Sequence, residues 1–163
     1  MPLHRRTLYR AAALALGMAA LLRTAWAGES GNGHRNDRDA PTNPLTAEHW
    51  QTRPVVVIVP QENDPLLAKV RAALQEPAMR EGFRERDMVL FTVVAGQGRR
   101  NGQPLGAART AALLKALDLD ARAPATFILV GKDGGVKMKE EGTVVDLQAV
   151  FAEIDRMPMR QRR

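Results

Sequence analysis

The clearest signal along the chain is an alternation of short apolar runs with amphipathic stretches. "PVVVIVP" (Pro54 to Pro60) is a continuous β-branched run closed by prolines at both ends. Such a run reads as a strand buried on both faces, so helices must cover both sides of its sheet. "NDPLLAKVRAAL" follows. Asp64 is a good helix N-cap and Pro65 fits the first helical position, after which Leu66, Val70, Ala73 and Leu74 recur at helical spacing. Pro77 is expected to end or kink this helix, with Met79 and Phe83 in a further short turn. "DMVLFTVVAG" (Asp87 to Gly96) reads as a second strand. Gln97 to Gly106, "QGRRNGQPLG", has the composition of a mobile loop.

A second helix is expected over "AARTAALLKALDL", with Leu113, Leu114 and Leu117 facing inward. "ATFILVG" (Ala125 to Gly131) is a third strand and "GVKMKEEG" a fourth. Between them, "GKDGG" could be a phosphate loop or a hairpin bend. A phosphate loop leads into a helix N-terminus. Here a charged strand follows, and Asp133-Gly134 with Gly135 suits the positive φ angles of a tight turn. Lys137 and Lys139, alternating with Val136 and Met138, describe a half-exposed edge strand guarded by charge. From about Val145 to Asp155, Leu147, Val150, Phe151 and Ile154 form one apolar helical stripe.

The predicted order is βαβαββα. Strands separated by helices imply parallel crossovers, and the last two strands an antiparallel hairpin. The fold class expected is therefore α/β: a thioredoxin-like three-layer sandwich, its mixed sheet ending in the C-terminal antiparallel hairpin.

The N-terminal residues change the picture of charge. The 163-residue chain carries 24 basic and 18 acidic groups, a net of +6. Arg5, Arg6, Arg10 and Arg23 fall in the first 27 residues, which contain no acid. Without those four, 20 basic groups face 18 acidic ones, so a nucleic-acid footprint has little support. The same residues read as a signal peptide: a basic start, an apolar "AAALALGMAALL" too short to span a bilayer, and "AWA" before the expected cleavage after Ala27. A periplasmic or secreted protein is expected. Arg5-Arg6 with Thr7, Leu8 and Tyr9 also resembles a twin-arginine signal, although the general secretory route fits the same residues.

The organisation expected is a signal peptide over 1–27, a flexible linker over 28–53, the α/β domain over 54–157 and a basic tail over 158–163. Near the linker's end, Leu45 and Trp50 are candidates for docking on the domain. His34 and His49 are far apart in the chain, and no third ligand stands at a helpful spacing, so no metal site is expected.

With the topology assembled, three strings carry a resemblance: "VPQENDPLL" after the first strand, "LVGKDGGVKMK" at the hairpin, and "IDRMPMR" near the end. Together they resemble the DUF4174 family over Pro54 to Arg160. The resemblance implies a thioredoxin-like fold and export, and similar domains occur in secreted animal proteins, some with sushi repeats. It implies no catalytic residue, because the family's activity is not established.

The chain has no cysteine. Thioredoxin-fold redox enzymes place a reactive cysteine where the first long helix begins. Here that place holds "QENDP", and without a thiolate neither disulfide exchange nor thiol attack on peroxide is possible. Ala123-Pro124 stands near the cis-proline position of thioredoxins but about two residues early, so a trans bond is expected. Glu62 and Asp64 could form an acid pair, yet capping accounts for Asp64 and solvent for Glu62. Arg99 and Arg100 are the candidate binding residues, on a loop lacking phosphate-loop spacing, where they would meet an acidic partner. No catalytic residue and no cofactor is expected. The reading is an exported binding or accessory module of the cell envelope, monomeric or weakly associating, with an unknown envelope protein or ligand as partner. The alternatives are a degenerate thioredoxin or peroxiredoxin relative using non-thiol chemistry, and a polyanion binder using Arg99, Arg100, Arg160, Arg162 and Arg163.

Overall fold

A computed structural model describes residues 42–157. The expected signal peptide, most of the expected linker, His34 and the expected basic tail lie outside the described residues.

The first predicted strand becomes β1, Arg53–Val59, and every residue of it is buried. The β-branched run fits because β1 is central: β2 (Met88–Val94) lies beside it in parallel, and β5 (Thr126–Val130) antiparallel on the other side. The antiparallel pairing of β5 corrects the expectation that helix-separated strands all run parallel. With β3 (Gln97–Arg100), β4 (Gln103–Pro104) and β6 (Val136–Glu141), the strand order is β4-β3-β2-β1-β5-β6.

Val56 and Ile58 pack on one face with Phe91, Leu113, Leu117 and Ile128. Val55, Val57 and Val59 pack on the other with Leu66, Val70, Phe127 and Phe151. Helix α3 (Ala107–Ala116) covers the first face. Helices α1 (Pro65–Ala73), α2 (Pro77–Glu85) and α4 (Leu147–Arg156) cover the second. This is the three-layer mixed sandwich expected. The apolar stripe of α4 is buried at all four positions, Leu147, Val150, Phe151 and Ile154.

Three local expectations are corrected. α1 ends at Ala73, before Pro77 as expected, but the short turn expected at Met79 and Phe83 is the nine-residue α2, with Pro77 at its first position, where a missing N–H costs nothing. Gln97–Arg100 and Gln103–Pro104 are not a mobile loop but strands β3 and β4, a hairpin added to the outer edge of β2. Asn101 and Gly102 turn it with φ of 46° and 82°. Finally, residues 44–52 do not continue a linker. Pro44–Glu48 is a 3-10 helix capped by Asn43, and Leu45 is buried in the α3-side core. Trp50, the other candidate for docking, is 64% exposed.

The β5–β6 connection is the bend expected. The Gly131 N–H donates to the Gly135 carbonyl at 2.8 Å, and Gly134 takes the left-handed φ of 78°. Only Gly134 needs that conformation in the turn; Asp133 contributes by accepting from the Gly135 N–H. β6 is more exposed than the half-buried strand expected, and only Met138 is partly covered.

Candidate functional site

In open α/β sheets, ligands gather beyond the carboxyl ends of the parallel strands. Here that end carries the β1–α1 loop, "QENDP". The Asp64 carboxylate accepts from the Leu66 N–H at 2.9 Å and is only 6% exposed. The helix start therefore holds the chain's own anion against its orphan amides. Glu62 is not paired with Asp64; it forms an exposed ion pair with Arg71. The acid pair does not exist: Asp64 caps the helix and Glu62 is paired with Arg71. Nearby, the Ala123–Pro124 bond is trans, since no described peptide bond is cis.

The two candidate arginines are neighbours with different fates. Alternation along β3 sends their side chains to opposite faces. Arg100 folds back onto Glu48: its Nε donates to Oε1 at 2.7 Å and its Nη2 to Oε2 at 3.1 Å. Glu48 also accepts from the Thr52 hydroxyl at 2.6 Å and is 5% exposed. Burial alone would raise the Glu48 carboxyl. The hydrogen bonds from Arg100 and Thr52, with the Arg100 charge, outweigh it and hold the group below its ordinary value. The bond to Glu48 holds Arg100 correspondingly high. Arg100 is thus paired within the domain, with its side chain still 41% exposed.

Arg99 is exposed and edges a cavity of about 240 Å³ between the β3 edge and the start of α3. Gly96, Gln97, Gly98, Pro104 and Ala107 also line it. Gly98 is required there, because a side chain at that position would collide with Thr110. None of residues 60–64 reaches this cavity, so it is separate from the β1–α1 loop.

A buried charge cluster that the sequence did not suggest stands at the opposite end of the sheet. Arg53 and Lys132 are 2% and 8% exposed. Lys132 Nζ lies 2.8 Å from Asp87 Oδ2, and Arg53 Nη1 lies 3.9 Å from the same oxygen. Arg53 also donates to the Arg86 carbonyl at 2.9 Å. Asp87 sits at φ 52°, a left-handed conformation that Asp tolerates, just after α2. The signal available was an Arg opening an otherwise apolar strand and a Lys closing another. Among the described residues, no group of three or more acids or histidines could hold a metal ion. No described helix is long and apolar enough to cross a membrane.

Layer order, strand order and hairpin define a thioredoxin-like domain. The chain belongs to the family "Domain of unknown function (DUF4174)", whose model matches residues 44–163. A reduced 2-Cys peroxiredoxin from Plasmodium vivax shares the fold, with a TM-score of 0.50 and 13% identity. The match covers 73% of this chain and 85% of that one. No curated protein matches the chain. The family match begins at residue 44, where the 3-10 helix starts, so the segment before β1 belongs to the domain.

Proposed function

We propose that this protein is a thioredoxin-like binding module that works in the cell envelope after export, without redox chemistry. The observation that carries the reading is the start of α1. In a chain with no cysteine, the Asp64 carboxylate is buried against the amides beside which thioredoxin-fold enzymes hold a thiolate. A second anion, substrate or thiolate, would meet that fixed negative charge. The envelope location rests on the export pattern of the first 27 residues. The surface favoured for the partner is the β3–α3 cavity, because Arg99 reaches its rim and its guanidinium makes no ion pair or hydrogen bond among the described residues. An acidic group on the partner would complement it.

The test is capture from envelope extract by the chain beginning at Gly28, beside its Arg99→Glu variant. A partner retained by the first and lost by the second is the expected result. Retention by neither, or equally by both, overturns the assignment of this surface. Peroxide turnover by the purified chain overturns the non-redox reading independently.

A further inference from the structure

We propose that residues 44–52 form a strap that opens and closes over the α3 side of the domain while the sheet stays folded. The strap's backbone hydrogen bonds are almost all its own. Thr46 donates to Asn43, His49 to Thr46, and Gln51 and Thr52 both donate to Glu48. Among the described residues, one backbone bond ties it to the rest of the domain, Trp50 N–H to the Lys132 carbonyl at 2.7 Å. The next residue, Arg53, already belongs to the sheet and donates to the Asp87 carbonyl. A segment bonded chiefly within itself can leave without breaking the ladder beside it.

Three buried side chains hold it down, Pro44, Leu45 and Glu48, and the His49 ring rests against Gly134 of the β5–β6 turn. Leu45 enters the cluster that contains Leu105, Leu113 and Leu117. Glu48 is clasped by Arg100 of β3. The Trp50 side chain adds no anchor, being 64% exposed, and while its N–H holds Lys132 its φ works against closure. A φ of 63° is a strained conformation for a bulky residue, and opening relieves it. The strap is thus closed by Pro44 and Leu45, the His49 ring on Gly134, one clasped carboxylate and one backbone bond, against a strained pivot. Opening uncovers the Leu105–Leu113–Leu117 cluster.

Amide hydrogen exchange on the full chain at neutral pH tests this. The Thr46, His49, Trp50, Gln51 and Thr52 amides are all hydrogen-bonded, so they exchange slowly only while the strap is closed. They are expected to exchange about 100-fold faster than those of Val56 to Ile58, the signature of a local opening. Arg100→Gln is expected to speed the strap amides about tenfold further, the loss of one charge-assisted pair, and to leave β1 unchanged. Leu45→Ala should act in the same direction. Equal protection of strap and β1 in the unmodified chain overturns the proposal, whatever the variants do. An Arg100→Gln chain with unchanged strap exchange, or with strap and β1 accelerated alike, overturns it too.

Discussion

The two ends of the sheet divide the polar chemistry in an unexpected way. Beyond the carboxyl ends of β1 and β2, where this fold ordinarily does its work, stand a capped helix start and an exposed ion pair. At the other end, Asp87 neutralises the buried Lys132 and approaches the buried Arg53. A buried, charged cluster would ordinarily draw attention as a site. Here it pins the beginnings of β1 and β2 to the end of β5, while the end expected to react is closed by a structural carboxylate. Perturbed or buried charge marks chemistry only when it faces a space a ligand can enter.

The largest way to break that contrast is Asp87→Asn. It keeps a side chain that tolerates the left-handed backbone but leaves Arg53 and Lys132 without their carboxylate. Breaking a buried pair costs about 3–5 kcal/mol, and partial exposure of Asp87 places the expected loss in urea unfolding at about 2–3 kcal/mol. An unchanged midpoint would remove the structural role assigned to this end.

A smaller effect separates the clasp from solvent-exposed pairs. Because the folded Glu48 carboxyl lies below its ordinary value, it stabilises the domain above the pKa it has when unfolded. That contribution declines as pH falls from the ordinary glutamate range through the lowered folded value. Urea midpoints measured from pH 7 down to pH 3 should show it, and Glu48→Gln should flatten that part of the profile. The exposed Asp133–Lys137 pair, whose hydrogen bond also lowers Asp133, should contribute little on replacement by Asn.

The smallest stability change is expected at Arg99. Arg99→Glu should shift unfolding by less than about 0.5 kcal/mol, as for an unpaired surface side chain, while Arg100→Glu sets like charges against the buried Glu48 and destabilises. Equal effects of the two substitutions would erase the distinction between rim and clasp.

Much of this architecture was legible because it is written locally. The β-branched run of β1, the Asp64-Pro65 helix start and the α4 stripe each need only a few neighbouring residues to be recognised. What was not legible depends on distant partners. β3 has no apolar alternation, because an outer hairpin is held by backbone pairing to β2 and by Gly98 fitting against Thr110. Arg100 resembles Arg99 until Glu48, 52 positions away, is brought beside it. Pro77 was legible as the end of one helix but not as the start of the next, because α2 shows itself only once Phe83 packs in the core. Of the site, capping by Asp64 was legible; the cavity beside Arg99 was not, since it forms only where β3 meets α3.

The non-redox reading of the α1 start stands or falls on Asp64 being a cap and not a reactive group. Urea unfolding of the Asp64→Ala chain beside Asp64→Asn measures this directly. The account predicts that Ala lowers stability by about 0.5–2 kcal/mol and that Asn, which can also cap, recovers most of it. An Asp64→Ala chain as stable as the original, or more stable, would contradict it, because the buried carboxylate would then be held for something other than the helix it begins.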